Sequence, residues 1–179
     1  MQLIELLKRI PVLEIHGDDR REISQLVFDS RKVTDNSLYI AMRGTVVDGH
    51  SFIASSVEKG ANAIVCEEFP ENTDENVTYI KVKDSSKTLG QLASNFYGNP
   101  SEKLKLVGVT GTNGKTTIAS LLFQLFQKAG FKVGLLSTVK IMVNDTEYPA
   151  THTTPDSLTI NHYLNEMVEA GVTHCFMEV

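Results

Sequence analysis

The amino-acid sequence predicts an α/β protein, with a small mixed α/β N-terminal domain followed by the start of a parallel-sheet domain. Short apolar runs of strand length alternate with amphipathic stretches of helical spacing along the 179 residues. The segment Gly98-Asn99-Pro100-Ser101 interrupts this pattern and is the best candidate for a domain boundary. After it, an apolar strand, a glycine-rich turn and an apolar-faced helix follow one another, an order that implies parallel strands joined by right-handed crossovers.

The first half of the chain reads as helices and strands of moderate length. Three amphipathic segments predict helices, at residues 3–10, 51–59 and 84–97. Pro11 would end the first of these, while Ser51 would cap the second and Gly60 would close it. Four short apolar runs predict strands, at residues 25–28, 38–42, 63–66 and 78–82.

The second half repeats a β-loop-α succession. Strands are predicted at residues 104–109, 132–136 and 174–179, and helices at residues 115–129 and 156–170. Asp156 is placed to cap the last helix, and Gly171 to close it. Asn144-Asp145 lies between β-like residues and predicts a hairpin over 141–148. The three strands would form a thin sheet with an open edge, and no segment is left over to hold a nucleobase. We therefore expect a fragment of a longer protein.

Composition excludes several classes of protein. The net charge is −5, from 17 basic and 22 acidic residues, which argues against broad nucleic-acid binding because such proteins present a basic face. No apolar run approaches the roughly 18 residues that span a bilayer, and the N-terminus lacks a secretory pattern. Cys66 and Cys175 show neither metal-ligand nor disulfide spacing and are interpreted as buried thiols. We expect a cytoplasmic protein.

The strongest functional signal is the segment 107–117, in which Gly-Thr-Asn-Gly-Lys-Thr-Thr follows an apolar strand from residue 111. Glycines let main-chain N–H groups approach an anion, and the N-terminus of the next helix adds partial positive charge. Lys115 supplies a mobile full charge, and the Thr116 hydroxyl can reach a Mg²⁺ ion. The segment predicts a nucleoside triphosphate site. The general phosphate-loop pattern would place a glycine at position 109, where this chain has Val109. The alternative to a phosphate-binding loop is an ordinary glycine turn between a strand and a helix.

Glu178 ends the last apolar run, where phosphate-binding folds often place an acidic residue for Mg²⁺. The alternative is a charged residue at the surface end of a strand. Thr138 follows another strand toward the same edge of the sheet, and a plain loop explains it equally well.

Several segments resemble one family. Residues 108–117 resemble the ATP-binding loop of the Mur ligases, the cytoplasmic enzymes that add amino acids to the peptidoglycan precursor, and the variant glycine spacing is that family's form of the loop. Phe28-Asp29-Ser30-Arg31 resembles the family's uridine-site segment, and residues 44–53 resemble the next loop of that domain. Residues 153–156 and 177–179 resemble the central domain of the members that add the third amino acid.

The resemblance implies an enzyme of three domains. Residues 1–98 would bind the UDP-sugar substrate, and residues 99–179 would be the N-terminal part of the ATP-binding central domain. The C-terminal amino-acid-binding domain would be absent, so we expect this chain to be inactive by itself.

The implied activity is that of an ATP-dependent amide ligase of peptidoglycan synthesis. It would add diaminopimelate or lysine to UDP-N-acetylmuramoyl-L-alanyl-D-glutamate through an acyl phosphate, with ATP and Mg²⁺. On this interpretation the partners are the UDP-N-acetylmuramoyl-dipeptide and an amino acid. We expect a monomer that binds neither nucleic acid nor a membrane.

The resemblance also implies roles for individual residues. Lys115 would be catalytic, on the β and γ phosphates, while Thr116 and Glu178 would hold Mg²⁺ and Thr117 would cap the helix end. The implied ATP-binding residues are Gly111, Thr112, Asn113, Gly114, Lys115, Thr116 and Thr117. The implied substrate-binding residues are Phe28, Ser30, Thr45, Val46, Val47, His152, Thr153 and Thr154.

Alternatives remain open at several positions. A local ion pair between Asp29 and Arg31 is as good an explanation of these residues as ligand contact. His50 fits a packing histidine better than a ligand, and the other histidines are interpreted as structural: His16, His162 and His174. The competing functions are a nucleotide kinase or GTPase, a folate-polyglutamate ligase, and a UDP-sugar-binding module without catalysis.

Overall fold

A computed structural model of the chain describes residues 1–44, 47–150 and 155–179. The chain divides into two compact units, which we call the N-terminal unit, Met1–Phe96, and the C-terminal unit, Tyr97–Val179. Each contains a five-stranded mixed sheet with helices, so the predicted α/β fold class is confirmed. In the described ranges, no helix combines the length and apolarity needed to cross a membrane.

The N-terminal unit is built on a sheet of order β1-β5-β4-β3-β2. Its strands are β1 Val12–His16, β2 Gln25–Val27, β3 Ser37–Ile40, β4 Ala61–Cys66 and β5 Thr78–Val82. Its helices are α1 Leu3–Leu6, α2 Ile53–Glu58 and α3 Ser85–Phe96. Strands β2 to β5 are parallel, and β1 joins the sheet antiparallel to β5. All four residues of β3 are buried, as expected of a central strand covered on both faces.

Strand β1 was not predicted from the sequence. Val12 is partly buried and the other four residues of the strand are exposed, so the strand lacks the alternation that marks a half-buried strand. It pairs with β5 through a register shift between Val12 and Glu14. This edge pairing is non-local, and a pattern of nearby residues does not reveal it.

Two helix starts or ends differ from the prediction. Ser51 is not a helix cap, because it lies inside a 3₁₀ turn, Gly49–Phe52, that is capped by the Asp48 carboxylate and runs into α2. Helix α1 ends at Leu6 rather than at Pro11. The buried Asn95 side chain donates to the carbonyl oxygens of Leu6 and Lys8, at 2.7 Å each, and so satisfies acceptors that the helix end leaves free.

The C-terminal unit has the sheet order β6-β10-β7-β8-β9. Its strands are β6 Lys105–Val109, β7 Val133–Leu136, β8 Lys140–Val143, β9 Thr146–Pro149 and β10 His174–Glu178. Strands β6, β10 and β7 are parallel, and β8 and β9 extend the sheet as an antiparallel hairpin. The predicted hairpin is therefore correct, while the predicted three-stranded sheet was too small because the hairpin pairs with β7.

Helices α4, Lys115–Lys128, and α5, Ser157–Glu169, cover opposite faces of this sheet. Neighbouring strand residues alternate between them: Leu135 and Phe176 pack with Phe123 of α4, whereas Leu136 and Cys175 pack with α5. The predicted cap of α5 is confirmed, since the Asp156 carboxylate accepts from the Thr159 N–H at 2.9 Å. At Gly134 an added Cβ would lie 2.3 Å from the Met167 Sδ, so glycine permits the close approach of α5.

Both cysteines are buried free thiols, as the sequence predicts. Burial raises the pKa of Cys66 and of Cys175 to about 12, so neither forms a thiolate near neutral pH.

Candidate functional site

The loop that follows β6 has the shape of an anion cradle. Gly111 and Gly114 adopt φ angles of +147° and +79°, which side-chain-bearing residues rarely do. Gly114 is the N-cap of α4, and an added Cβ there would meet no atom within 4 Å. The loop thus borders open space in front of the positive end of a 14-residue helix.

The main-chain N–H groups of residues 111–114 have no protein acceptor among the described residues. Four consecutive residues therefore leave donors that solvent or a ligand must satisfy. Donors clustered at a helix N-terminus suit the oxygens of a phosphate group.

Lys115 lies folded over this loop. Its ammonium donates a hydrogen bond to the Gly111 carbonyl oxygen, with Nζ and O 2.8 Å apart. The contact brings a full positive charge to the loop from the first residue of α4. An anion bound at this loop would therefore lie near the Lys115 ammonium, which is at the loop before binding.

Beside the loop, three chain segments meet at the Glu178 carboxylate. Thr116 Oγ1 lies 3.0 Å from both carboxylate oxygens. Thr138, just after β7, gives two further hydrogen bonds to Oε2, from its N–H at 3.2 Å and from its hydroxyl at 3.1 Å. These residues meet because the carboxyl ends of β7 and β10 lie at one edge of the sheet, next to the start of α4.

This environment keeps Glu178 ionised. Desolvation raises the pKa of its carboxyl, but the hydrogen bonds from Thr138 and Thr116 and the charge of Lys115 outweigh that effect, so the pKa lies below its ordinary value. The single Thr116 hydroxyl proton is directed to Glu178, which leaves the lone pairs of the Thr116 oxygen free to face a cation. An ionised carboxylate and a hydroxyl oxygen are ligands that suit a hard cation such as Mg²⁺.

The structure does not place Thr117 at the helix cap. Gly114 is the N-cap, and Thr117 is the third residue of α4 with an exposed side chain. The capping prediction is therefore wrong, because the glycine takes the left-handed conformation that lets the helix begin one turn earlier. The predicted ATP contact of Thr117 stays a prediction.

The N-terminal unit contains a cavity of about 450 Å³ next to the predicted uridine segment. Its lining residues are Phe28, Asp29, Ser30, Arg31, Tyr39, Met42, Gly44, Val47, Gly49 and Phe52. Phe28, Ser30 and Val47 of the predicted substrate-binding residues thus share one cavity. The sequence did not single out Tyr39 and Met42, which lie in a strand pattern that already explains them, whereas Phe52 belongs to the segment 44–53 that resembles a loop of the family.

Asp29 and Arg31 pair locally. The Asp29 carboxylate caps a 3₁₀ turn, Ser30–Lys32, by accepting from the Arg31 N–H, and an Asp29 oxygen lies 2.8 Å from Arg31 Nη2. These hydrogen bonds lower the pKa of Asp29 to about 2. The Ser30 hydroxyl has no protein partner in the part of the chain that the structure describes, so it is available to a ligand.

Tyr39, which lines the cavity, is hydrogen-bonded to the neighbouring turn at Gly49. Its hydroxyl donates to the Gly49 carbonyl oxygen at 2.9 Å, and desolvation raises the pKa of this phenol to about 12. The hydroxyl therefore remains protonated and acts as a donor.

His50 is held at both ring nitrogens. Nδ1 lies 2.7 Å from the Asp48 carboxylate, and Nε2 accepts from the Glu67 N–H at 2.9 Å. The ring therefore carries its proton on Nδ1, and its side chain is only 14% exposed. This arrangement agrees with a packing role and joins the turn beside the cavity to the end of β4.

Five of the predicted substrate-binding residues lie outside the described residues: Thr45, Val46, His152, Thr153 and Thr154. The remaining histidines make ring contacts within their own units, namely His16 with Phe69, His162 with Tyr97 and Tyr163, and His174 with Phe126 and Phe131. Within residues 1–44, 47–150 and 155–179, no group of three or more His, Cys, Asp or Glu side chains is arranged to hold a metal ion.

Comparison with known proteins identifies the family. Residues 22–97 match the family described as "Mur ligase family, catalytic domain", and residues 109–179 match the "Mur ligase middle domain". The chain belongs to the Mur ligase family. The match over residues 22–97 accounts for the first half of this Mur ligase chain, which a kinase or GTPase would leave unexplained.

Curated relatives extend the similarity over the whole chain. A protein of Cytophaga hutchinsonii named UDP-N-acetylmuramoyl-L-alanyl-D-glutamate–2,6-diaminopimelate ligase is 53% identical over 180 residues, and one of Clostridium tetani with the same name is 44% identical over 181 residues. Both alignments cover 100% of this chain. The chain spans 37% of the length of each relative.

Solved structures agree on the fold. A structure of a UDP-N-acetylmuramoyl-L-alanyl-D-glutamate–2,6-diaminopimelate ligase superposes with a TM-score of 0.80 at 22% identity, covering 100% of this chain and 36% of that one. The MurF ligase of Thermotoga maritima, solved in complex with ADP, matches with a TM-score of 0.54 at 26% identity, covering 86% of this chain and 31% of the other.

Proposed function

We propose that this chain forms the substrate- and ATP-binding part of a cytoplasmic amide ligase that adds the third amino acid to UDP-N-acetylmuramoyl-L-alanyl-D-glutamate. The meeting of the 111–114 loop, Lys115 and the Thr116–Glu178 pair carries the proposal, because it offers anion donors and cation ligands side by side. The names of the relatives favour diaminopimelate over lysine as the amino acid.

In the C-terminal unit, the main-chain N–H groups of residues 111–114 would line the phosphates of ATP. Lys115 would exchange the Gly111 carbonyl for the β and γ phosphates, and Thr116 and Glu178 would hold Mg²⁺ directly or through water. Bound there, Mg²⁺ would neutralise the charge that develops on the phosphates during transfer. The role of the chain's residues is positioning and charge balance, which is what phosphoryl transfer requires of a protein.

In the N-terminal unit, the cavity beside Phe28 and Ser30 would hold the UDP end of the substrate. Ser30 would use its unpartnered hydroxyl for a hydrogen bond, and Phe28 would supply apolar or main-chain contact. Asp29 and Arg31 shape the turn through their ion pair. On this proposal, residues 1–98 and 99–179 would serve two binding functions of one ligase.

The reaction is an amide synthesis in two steps. The substrate carboxylate attacks the γ phosphorus of ATP, which gives an acyl phosphate and releases ADP. The amine of the incoming amino acid then attacks the acyl carbon, and the tetrahedral intermediate expels inorganic phosphate. Activation is needed because a free carboxylate is a poor electrophile.

The proposal is tested by the Lys115→Ala variant of the full-length ligase. We expect turnover to fall below detection, because the γ phosphate loses its mobile charge, while binding of the UDP-muramoyl-dipeptide by calorimetry stays unchanged. Lys128→Ala, at the other end of α4, is the matched control and should retain wild-type turnover. Normal turnover in the Lys115 variant would contradict the phosphate assignment.

A further inference from the structure

The tight turn between β7 and β8 contributes a residue that contacts Glu178. Leu136 pairs with Ile141 across the hairpin, and the Ser137 N–H donates to the Lys140 carbonyl at 3.1 Å. Only Thr138 and Val139 lie outside this pairing. Val139 is 69% exposed, whereas Thr138 is half-buried against the carboxylate.

Ser137 fixes the shape of this loop. Its hydroxyl is buried, donates to the Lys140 carbonyl at 2.8 Å, and accepts from the Lys140 N–H at 3.1 Å. A two-residue hairpin loop normally needs residues with positive φ, and neither Thr138 nor Val139 has one. The Ser137 side chain takes over part of the hydrogen bonding, so the loop holds its geometry without a glycine.

The Glu178 oxygens receive their hydrogen bonds unequally. Oε2 accepts both the N–H and the hydroxyl of Thr138, while Oε1 has only a share in the single Thr116 proton. Oε1 therefore keeps more of its lone-pair capacity. Of the two Glu178 oxygens, Oε2 is thus engaged by Thr138, whereas Oε1 can still accept further contacts.

We propose that Thr138 is a positioning residue that orients Glu178 so that Oε1, beside the Thr116 oxygen, faces the cation. The inference rests on the proposed function, because it assigns Thr138 a part in the Mg²⁺ site of that ligase. Removing a group that hydrogen-bonds to a metal-binding carboxylate typically lowers metal affinity 10–100-fold. On this proposal Thr138 acts through Glu178, to which both its N–H and its hydroxyl donate.

The experiment measures Mn²⁺ binding by electron paramagnetic resonance in the full-length ligase with a non-hydrolysable ATP analogue. We expect Thr138→Val to weaken Mn²⁺ binding about tenfold, because the hydroxyl is lost and only the N–H remains. Thr138→Ala should behave alike, and Thr138→Ser, which keeps the hydroxyl, should stay within about twofold of the wild type. Thr146→Val, an exposed threonine on the neighbouring hairpin strand β9, controls for the loss of a surface hydroxyl.

The outcomes separate two failures. If the wild-type enzyme binds Mn²⁺ with the nucleotide and both Thr138→Val and Thr138→Ala bind it equally well, Thr138 is not a positioning residue while the proposed function stands. Equal loss in Thr138→Ser would show that packing, not the hydroxyl, matters, and would also overturn the inference. If the wild type takes up no Mn²⁺ with the nucleotide, the proposed function itself fails. A lower melting temperature with unchanged Mn²⁺ affinity would mean a structural role only.

Discussion

At the scale of single residues, this chain places its polar groups through short local hydrogen bonds. Asp29 holds its turn and pairs with Arg31, His50 joins Asp48 to the end of β4, and Glu178 collects donors from two other segments. Each arrangement fixes a side chain next to a cavity or loop in which polar groups, the Ser30 hydroxyl or the N–H groups of residues 111–114, have no protein partner among the described residues. Such fixed groups reduce the reorganisation that ligand binding would otherwise require.

Asp29 gives a prediction about pH. Its pKa is about 2 in the folded chain and about 3.9 in an unfolded one, so its ionised form stabilises the fold above pH 4 and this contribution is lost as the pH falls toward 2. The difference in free energy of unfolding between wild type and Asp29→Asn should therefore be constant from pH 7 to about 5 and shrink below pH 4. Urea denaturation of the chain at a series of pH values measures this difference.

The Arg31→Ala background provides the control for this prediction. Arg31 is the largest cause of the lowered pKa, so the pH dependence of the Asp29→Asn difference should become smaller there. A difference that is the same at pH 7 and pH 3 in the wild-type background would contradict the role given to the pair.

At the scale of elements, helix α4 shows which face of a helix determines stability. Phe123 is 5% exposed and packs on the sheet, whereas Leu125, two residues on, is 61% exposed. The two residues belong to the same helix, so they share its propensity and its ends. They differ in what lies against the side chain.

We expect Phe123→Ala to lower the free energy of unfolding by about 3–5 kcal/mol, because it leaves a cavity between α4 and the sheet. Leu125→Ala is the matched control and should change it by no more than about 0.5 kcal/mol, as surface substitutions do. Chemical denaturation followed by circular dichroism measures both. Comparable losses in the two variants would mean that the outer face of α4 is covered by another part of the protein.

Sequence patterns predicted the elements whose signal is local. The α5 cap at Asp156, the hairpin at Asn144 and strand β5 follow from neighbouring residues. The exposed edge strand β1 and the place of β10 between β6 and β7 depend on residues far apart in the chain, so no local pattern contains them. Thr138 stayed ambiguous for the same reason, since its partner Glu178 lies 40 residues away.

At the scale of the whole molecule, the chain spans 37% of the length of its curated relatives. Its two compact units provide the cavity beside Ser30 and the loop at residues 111–114. An amide ligase also needs a site for the incoming amine. On the proposed function, these two sites would serve the UDP-muramoyl-dipeptide and ATP, two of the three substrates.

We therefore expect the 179-residue chain alone to form no amide when supplied with ATP, Mg²⁺, the UDP-muramoyl-dipeptide and diaminopimelate. The full-length ligase under the same conditions is the positive control. Product formation followed by liquid chromatography and mass spectrometry measures both, and a rate above background for the chain alone would refute the expectation.

The contact between Lys115 and Gly111 affects how a loss of nucleotide affinity in a Lys115 variant is to be interpreted. The ammonium already donates to a carbonyl of its own loop, so on the proposed function the binding of a triphosphate would replace this contact rather than add a new one. The affinity lost on removing Lys115 then reports the surplus of the phosphate contact over the carbonyl contact. On the proposed function, the intrinsic attraction between this ammonium and the nucleotide would be larger than the affinity difference that the Lys115 variant shows.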